Sequence, residues 1–513
     1  MSATAADIDE NGADSGVVWA CVAGAFIAYA GLIAMGMARN GWLFEYPLDD
    51  VYIHLAMAEQ IARGGYGVNA GEYASAASSP AYPLLLTPFS ESPFQRWLPL
   101  LWNVVALGMA AVLLGYAFAR AGLGRTGVAL AAIAPFALSM HVTAFTGMEN
   151  MAHGAASLAI VLGLWRFVET DRIGGLLLAG CLLAAAFRLE GLALGMAAGG
   201  VVAILGRPRA GAMLIALAIL PAALFTGYLV ALGLDPLPNS VMAKLDDTGG
   251  GSPLETFRIN TNTCGGRYIF ALTGIVALVG AVAFLRDRRR GWFALAVAAS
   301  GFAHLIFGAT GWMDRYENYL ILSLVAALAL VLGGASPLGG RIAVAVALAG
   351  GLVTYAPSTL SIYAWNPKAI AAQQGQMARF AKDFVDGPVA VNDIGYVAWR
   401  NPHYVLDLWG LASADALTLR TSLAGQGWAG PLAAEKGVSV AMVYDKWLSE
   451  AVPDDWHRLG SLHLDVPNAF LGGSEVAFYA TDATAVPGLQ ASLRAWAEGL
   501  PERARFDFAG GQE

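Results

Sequence analysis

Charged residues are scarce in this chain. Asp, Glu, Lys and Arg together make up 13% of its 513 residues, against about 25% in a typical soluble domain. Hydrophobic residues reach 57%, and the mean hydropathy is +0.56. No basic stripe is visible, and the net charge of −8 argues against a nucleic-acid partner. The composition indicates a membrane protein and excludes an ordinary soluble enzyme.

Cysteine is also rare, with Cys21, Cys181 and Cys264 as the three examples. They show no metal-binding spacing and two lie in apolar runs, so the sequence implies neither a zinc site nor a disulfide framework. Lys and Arg are absent from residues 1–16, which carry four acidic residues and are unlike a cleavable signal peptide. We expect a short disordered tail there.

Hydrophobic runs of roughly 17–25 residues, long enough to cross a bilayer, recur from residue 17 to about residue 357. They predict a polytopic α-helical membrane protein with about eleven transmembrane helices over residues 17–357. The pair at 173–206 is short enough for a tight hairpin or a broken helix. The predicted spans are 17–38, 97–119, 126–145, 151–168, 173–187, 191–206, 210–232, 267–285, 291–309, 317–334 and 341–357.

The orientation follows from Lys and Arg in short loops, which favour the cytoplasmic side. The strongest such loop holds Arg286 and the run 288–290. Counting outward from it puts every other arginine-bearing short loop on the same side, although Arg39 and the acidic N-terminus favour the reverse for the first span. Nearly all polar candidate residues then fall on the extracytoplasmic face of a multi-pass inner (plasma) membrane protein.

The composition changes after about residue 358 to that of a soluble domain. Four short apolar runs there read as buried strands, with helical stretches between them. We expect an extracytoplasmic α/β domain over 358–513. No internal repeat is visible, which weakens a transporter interpretation, since many transporters contain duplicated halves. The expected strands lie within 387–399, 404–410, 438–447 and 475–481, and the helices near 367–384, 412–425 and 487–500.

The first external loop, residues 39–96, carries two adjacent acids, Asp49 and Asp50. Carboxylates beside hydrocarbon are costly to bury, so the pair suggests a base, a metal ligand or a cation site. A helix cap is the simpler alternative, although one cap does not need two acids. Two interfacial helices, one beginning at the acid pair and one at 81–89, would form a platform for a lipid with a polar head.

Several short motifs together resemble GT-C-type membrane glycosyltransferases that use a polyprenyl-phosphate sugar donor, and are most similar to bacterial arabinofuranosyltransferases of the cell envelope. Each motif is weak alone, but their order and spacing are specific. The tail segments beginning at Asp393 and Asp407 are similar to the external domain of that group, where both acids are candidates for contacting a glycan, although turn-forming and structural roles fit them as well. The motifs are Asp49-Asp50 with Tyr52-Ile-His54, Gly65-Tyr-Gly, Ser78-Ser-Pro-Ala-Tyr-Pro-Leu, Thr146-Gly-Met-Glu149, Arg188-Leu-Glu-Gly191, Pro238-Asn-Ser240 with Lys244, and Arg315-Tyr316.

The resemblance implies an inverting transfer, in which an acceptor hydroxyl attacks the anomeric carbon and polyprenyl phosphate leaves from the opposite face. Asp49 is then the expected base, with Asp50 orienting it or binding the acceptor, and the two roles are exchangeable. The leaving phosphate needs cations, and arginine fits its oxygens well. The candidates on the external face are Arg188, Lys244 and Arg315.

Each candidate also has a structural alternative. Arg188 can pair with Glu190, Arg315 can pair with its acidic neighbours, and Lys244 can be a solvated loop residue. No cofactor is firmly implied; a divalent cation at Asp49 and Asp50 is left open, but the dense oxygen-ligand pattern of a cation site is missing. Further candidates for substrate binding are His54, Tyr52, Glu149, Glu190 and Asn239.

The expected partners are a polyprenyl-phosphate sugar donor, a glycan, glycolipid or protein acceptor, and the lipid bilayer. Two other classes stay open: a transporter or flippase of lipid-linked sugars, and a non-catalytic envelope assembly factor. A transporter would need polar residues deep in the membrane, whereas the span interiors here are nearly free of charge.

Overall fold

A computed structural model describes residues 12–247, 252–422, 425–466 and 470–510, and within the first range the side chains of 15–243. Helices dominate its first two thirds. They are α1 (Gly12–Arg39), α2 (Asp50–Ala62), α3 (Tyr82–Leu85), α4 (Leu98–Arg120), α5 (Gly124–Ala137), α6 (Met140–Phe145), α7 (Asn150–Thr170), α8 (Gly175–Phe187), α9 (Gly191–Ile204), α10 (Pro208–Ala231), α11 (Asn239–Asp247), α12 (Pro253–Asn262), α13 (Cys264–Arg286), α14 (Arg288–Phe307), α15 (Asn318–Ala335) and α16 (Pro337–Ser361). Of the predicted tail at 1–16, residues 1–11 lie outside the described residues, and the rest belongs to α1.

Eight helical segments of the described chain are long and apolar enough to cross a membrane. They contain α1, α4, α7, α10, α13, α14, α15 and α16, while α8 and α9 are apolar but only 13 and 14 residues long. Many side chains on the outer surface of these helices are large and apolar: Ile27, Val353 and Leu285 are 73%, 79% and 84% exposed. Such a surface is stable against lipid and not against water. The prediction of a helical membrane protein is confirmed.

The predicted span 126–145 is two helices rather than one. Pro135 lies near the end of α5, and Ser139 adopts a left-handed conformation with φ of 57° before α6 begins. The carbonyl of Leu138, which no longer takes part in a continuous helix, accepts a hydrogen bond of 2.7 Å from the Asn318 amide. The break therefore has a partner on α15, which the local sequence does not reveal.

The short pair α8 and α9 forms the hairpin that the sequence allowed. The chain leaves the helical conformation at Arg188, whose φ and ψ are −151° and 140°. It resumes with Glu190 just before α9. The turn thereby places Arg188 and Glu190 at the end of the helix layer.

The helix α2 is present at its predicted position, but it is not an interfacial helix. Ten consecutive residues, 51–60, are buried. Glu59 accepts a hydrogen bond of 3.3 Å from the Arg400 backbone, and Tyr52 stacks on Tyr396 with ring centroids 4.0 Å apart. The prediction of a membrane-surface platform is corrected: α2 lies between the membrane helices and the C-terminal domain.

The chain after α16 builds a mixed α/β domain. Its helices are α17 (Asn366–Ala372), α18 (Gln374–Asp383), α19 (Gly395–Ala398), α20 (Ala414–Thr421), α21 (Ala429–Glu435), α22 (Asp445–Leu448) and α23 (Val486–Ala497). Its strands are β1 (Val389–Val391), β2 (Val405–Asp407), β3 (Val440–Val443), β4 (His457–Leu464), β5 (Glu475–Ala480) and β6 (Ala504–Phe508). Within the described residues they form one sheet in the order β2-β1-β3-β5-β4-β6.

The sheet is parallel on one side and antiparallel on the other. The strand β1 pairs in parallel with β2 and β3, whereas β5, β4 and β6 continue antiparallel. Trp496 of α23 is fully buried against Phe478 and Phe506, with ring centroids 5.6 Å away in both cases. The loops that follow β1 and β2 end at the same edge of the sheet, as they do in parallel arrangements, and this edge faces α2.

The two ends of the helix layer differ in charge. Arginine-bearing loops meet at one end, where Asp171 accepts hydrogen bonds from Arg207 and Arg289 at 2.5 and 2.9 Å. The opposite end carries the loop before α2, the α8–α9 turn and the loop before α15, and the C-terminal domain covers it. The candidate residues of the sequence gather at this covered end.

Candidate functional site

The two adjacent acids of the first loop face different partners. Asp49 precedes α2 but makes no side-chain cap. Its two carboxylate oxygens instead accept hydrogen bonds from the backbone N–H groups of Gly395 and Tyr396, at 2.7 and 2.8 Å. Burial and the Asp393 carboxylate raise the pKa of Asp49 well above its ordinary value, against those two hydrogen bonds. Asp49 therefore joins the first loop to α19.

Asp50 turns toward the helix layer. Its Oδ2 accepts a hydrogen bond from Nη2 of Arg315, and its side chain is 31% exposed while that of Arg315 is 1% exposed. The same Nη2 donates to the Tyr316 hydroxyl at 3.2 Å. Nε and Nη1 of Arg315 are buried and have no hydrogen-bond partner among the described residues. Arg315 thus pairs with Asp50 through Nη2, and two further N–H groups, on Nε and Nη1, stay available to a ligand.

A left-handed turn presents Arg315. Residues 311–314 all have positive φ, from 51° to 92°, and three of them are not glycine. Such backbone costs of order 1–3 kcal/mol per residue and persists where its surroundings enforce it. Here Asp314 accepts hydrogen bonds from Ser139 at 3.0 Å and Tyr363 at 2.9 Å, and Glu317 accepts one from the Gly311 N–H at 2.8 Å. Strain is stored beside the acid pair.

Two carboxyl groups behind this turn titrate abnormally. Burial raises the pKa of Asp314 to about 6, and burial together with the Asp314 charge raises the pKa of Glu317 to about 8. The Asn150 amide donates a hydrogen bond of 3.1 Å to the Arg315 carbonyl. The supporting residues Ser139, Asn150 and Tyr363 were not predicted, because they come from α7 and from segments before α6 and before α17 that only the fold brings together.

A second charged group lies beside the first. Arg188 donates to Glu149 at 2.9 Å and to Glu190 at 2.6 Å. His54 Nε2 lies 3.7 Å from Glu149, and the Ser78 hydroxyl donates to Glu149 at 3.1 Å. Burial acts to raise the pKa of Glu149, but the charges of His54 and Arg188 hold it below its ordinary value. The predicted pairing of Arg188 with Glu190 is present, and Glu149 joins it.

Two cavities adjoin these groups. The larger one, of 450 Å³, is called the acidic cavity because Asp49, Asp50 and Asp393 line it. The smaller one, of 280 Å³, is called the arginine cavity, since Arg188 lines it together with apolar side chains of α9 and α14. Ser78, Ala309 and Tyr316 line both. The two cavities therefore meet at the Tyr316 ring, whose centroid lies 5.3 and 5.1 Å from the guanidinium carbons of Arg188 and Arg315.

The C-terminal domain supplies the outer wall of the acidic cavity. Trp409, Leu411 and Trp447 line it on this side, together with the segment from Asn392 to Ile394. Asp407, whose role the sequence left open between glycan contact and a turn-forming or structural one, is buried and accepts hydrogen bonds from the backbone of Trp409 and Ala412 at 2.9 and 2.8 Å. The sequence did not predict that Trp409 and Trp447 line a cavity, although the motif beginning at Asp407 contains Trp409.

The remaining candidates are distributed unevenly. His54 lines the acidic cavity, and Glu190 lines the arginine cavity. Tyr52 is fully buried between Glu45 and Tyr396 and lines neither. Asn239 is buried at the start of α11, and its backbone N–H donates to Ser75 at 3.0 Å. Lys244 belongs to the same helix, but its side chain lies outside the described residues.

The acid pair is a poor fit for a resident metal ion. Both oxygens of Asp49 already accept N–H groups, and Asp50 is paired with a guanidinium. Nowhere in the described part of the chain are three or more His, Cys, Asp or Glu side chains grouped so that they could hold a metal. The donor set here is that of a salt-bridged carboxylate, not that of a cation cage.

Comparisons with known proteins give limited likeness. Residues 366–479 match a family model described as a domain of unknown function, DUF8728. No curated protein matches the chain. The crystal structure of the Archaeoglobus fulgidus oligosaccharyltransferase, in complex with zinc and sulfate, aligns with the chain at a TM-score of 0.42 and 12% sequence identity. The alignment covers 90% of this chain and 74% of the oligosaccharyltransferase chain. The function of the site therefore has to be inferred from the residues of the site themselves.

Proposed function

We propose that this protein is an inverting membrane glycosyltransferase. It moves a sugar, with arabinofuranose as the first candidate, from a polyprenyl-phosphate donor to an envelope glycan, lipid or protein acceptor on the extracytoplasmic face. The observation that carries the proposal is the junction of two unlike cavities at Tyr316. One is walled by apolar helices and an arginine, and the other by carboxylates and a water-facing domain. A lipid-linked sugar and a polar acceptor need such a pair of adjoining compartments.

The arginine cavity suits the lipid donor. Leu192 and Ala193 of α9 and Phe307 of α14 line it, and Phe307 is 72% exposed on the outer surface of its helix. The cavity thus reaches the apolar surface between these two helices, where a polyprenyl chain would lie. The sugar phosphate would then meet Tyr316 and the cations around it.

The proposal assigns phosphate binding to Arg315 and Arg188, with Lys244 assisting. Arg188 lines the arginine cavity, whereas Arg315 lines neither cavity and lies against the Tyr316 ring that lines both. Buried guanidinium N–H groups without partners favour an anionic oxygen strongly, because leaving them unpaired is costly. Arg315 has two such groups, Nε and Nη1, and Arg188 has one, Nε. Arg188 already neutralises two carboxylates, so its contribution to phosphate binding is smaller.

We assign the role of base to Asp50, whereas the sequence favoured Asp49 as the base and Asp50 as the orienting residue. Asp49 has a backbone N–H group on each oxygen and serves to hold the C-terminal domain. Asp50 lines the acidic cavity with a partly exposed carboxylate that is paired with the buried Arg315 guanidinium. Asp50 takes the proton of the acceptor hydroxyl while that oxygen bonds to the anomeric carbon. The bond from that carbon to the phosphate oxygen breaks, and its electron pair leaves with polyprenyl phosphate.

A donor panel tests the reaction class. The purified chain is given polyprenyl-phosphate arabinofuranose, mannose or glucose with an envelope extract as the source of acceptor, and release of polyprenyl phosphate is measured. We expect turnover of one donor and label from its sugar in the extract. Folded protein that binds these lipids but releases polyprenyl phosphate from none of them would contradict the proposal and favour a flippase or an assembly factor.

A further inference from the structure

Two tryptophans of the C-terminal domain line the acidic cavity together with the acid pair. Trp409 follows β2 and Trp447 belongs to α22, and both line the cavity while remaining partly exposed. Their ring centroids are 4.9 Å apart with planes tilted by 44°. Partly exposed indole rings next to carboxylates form a surface of apolar faces bordered by hydrogen-bond acceptors.

Neighbouring groups restrain both rings. The Arg420 guanidinium carbon lies 3.9 Å from the Trp409 ring centroid, and its Nε donates to the Trp409 carbonyl at 3.1 Å. On Trp447, a Cβ added to Gly472 would come within 2.4 Å of the ring, so the glycine backbone packs directly against it. Fixed rings lose little conformational entropy when a ligand binds, which is the property of a prepared binding surface.

The charges lining the cavity restrict its ligand. Asp49, Asp50 and Asp393 all line it, and the described lining residues include no Lys or Arg, so the cavity offers hydrogen-bond acceptors but no cation for an anionic ligand. Asp393 Oδ2 accepts from Gln374 and Tyr444 at 2.7 and 2.9 Å, and Oδ1 accepts from Asn392 at 3.1 Å. A carboxylate has about four lone-pair positions, so Asp393 retains capacity for a ligand hydroxyl.

Two kinds of ligand suit apolar ring faces bordered by carboxylates: a neutral sugar ring and an organic cation. Aromatic and acidic walls also attract quaternary ammonium groups. Here Arg420 already stacks on Trp409, and its positive charge opposes a second cation at the same ring. The sugar ring has no such conflict, since its C–H face packs on an indole and its hydroxyls donate to carboxylates.

We propose that Trp409, Trp447 and Asp393 form a saccharide subsite that binds a neutral sugar ring of the acceptor. The inference rests on the proposed function only in calling this sugar the acceptor. It gives the domain matched by the family of unknown function a role, which is to select a glycan and hold its hydroxyl near Asp50. The acceptor is then the sugar part of a polysaccharide or glycolipid rather than a peptide.

Binding of oligosaccharides to the full-length chain, without any donor, tests the subsite. The probes are end-labelled neutral tetrasaccharides of arabinose, mannose and glucose, with an acidic oligogalacturonate and choline as contrasts. We expect one neutral series to bind, and Trp409→Leu and Trp447→Leu to weaken it by about tenfold or more, as loss of one ring contact predicts. Trp456→Phe is the matched control, since Trp456 belongs to the same domain and lines neither cavity.

Each variant is compared by thermal unfolding, and Trp409→Phe, which keeps a ring, should fall between wild type and Trp409→Leu. Binding of choline or oligogalacturonate in place of every neutral probe would overturn the subsite, as would equal affinity in Trp409→Leu and wild type. Loss of all saccharide binding with continued polyprenyl phosphate release would reject the subsite and leave the proposed function standing. Saccharide binding without release of polyprenyl phosphate from any donor would support the subsite and reject the proposed function.

Discussion

Asp49 and Asp50 are neighbours in the chain that serve different parts of the molecule. Consecutive helix residues point about 100° apart, so a pair at the start of α2 reaches two surfaces. Asp49 holds the backbone of α19, and Asp50 pairs with Arg315 beside the cavity junction. One carboxylate fixes the geometry that the other uses.

We expect Arg188 to stabilise the folded protein through its ion pairs with Glu149 and Glu190, independently of which sugar donor the protein uses. Removing one member of a buried ion pair typically costs about 3–5 kcal/mol, because the remaining charges stay buried without a partner. Arg188→Met would take the guanidinium away from Glu149, which is fully buried and would keep the Ser78 hydroxyl and the His54 ring beside it, and also from the partly exposed Glu190. We expect the thermal unfolding temperature in detergent to fall sharply.

The matched control for Arg188 is Arg258→Met. Arg258 pairs with Glu255 at 3.5 Å, and the side chains are 73% and 43% exposed. Pairs of that kind contribute about 0–1 kcal/mol, so the control should unfold close to wild type. Equal unfolding of the two variants would show that the Arg188 cluster is not buried as described.

The carboxyl group of Glu317 gives the protein a pH dependence with a defined sign. Its folded-state pKa of about 8 lies above the ordinary value of 4.5, so the folded protein keeps a proton that the unfolded chain has released between these values. Stability should therefore fall as pH rises through this window. Glu317→Gln should flatten the curve of unfolding temperature against pH and be more stable than wild type near pH 8. Parallel curves for the two proteins would contradict the assignment.

The candidate site was predictable in part from residue types. Four of the residues singled out line the two cavities, namely Asp50, His54, Arg188 and Glu190. Two more line neither cavity but pair with lining residues: Glu149 with Arg188, and Arg315 with Asp50. Local sequence patterns do not show which residues far apart in the chain will contact each other. Asp49 bonds to a residue 346 positions away, and Tyr52 is buried by the same domain. Their roles depend on a contact that no local pattern encodes.

At the scale of elements, α19 is the contact on which the site geometry depends. A Cβ on Gly395 would lie 2.2 Å from the Asp49 carbonyl oxygen, so this helix can dock only with glycine there. Gly395→Ala should separate the C-terminal domain from α2, raise hydrogen exchange at residues 51–60 and lower transfer activity.

Gly488→Ala is the control for Gly395. Gly488 lies in α23 of the same domain, and a Cβ there would meet nothing within 4 Å. Alanine has the better helix propensity, so this variant should be as stable as wild type and exchange normally. Wild-type exchange and activity in Gly395→Ala would show that α19 does not fix the acid pair.

Long apolar helices were predictable because their hydrophobic length is a local property. The boundaries of α13, α14 and α15 agree with the predicted spans to within a few residues. The break before α6 depends on Asn318, and the burial of α2 depends on the C-terminal domain, so neither has a local signal. The strands β4 and β6 were also missed, because β4 mixes polar residues and a glycine with its apolar ones and β6 is a half-exposed edge strand with alternating polar residues.

The whole molecule separates an arginine-bearing end from a covered end with two cavities. The positive-inside rule predicts that the arginine-bearing end is cytoplasmic, which would put the site on the extracytoplasmic side. Cys264 is exposed at the covered end, while Cys21 and Cys181 are buried. A membrane-impermeant maleimide should therefore label Cys264 in right-side-out vesicles and not in sealed inverted ones. Cys264→Ser is the control, and labelling confined to inverted vesicles would reverse the orientation.

The most direct test of the account compares Asp50→Asn with wild type in single-turnover release of polyprenyl phosphate, with donor binding measured separately. Loss of a positioned base typically costs about 10²–10⁴-fold in rate, so release should fall at least about 100-fold while donor affinity is kept. Asp171→Asn, at the opposite end of the helices, should release at the wild-type rate. Release by Asp50→Asn at the wild-type rate would contradict the claim that this carboxylate activates the acceptor.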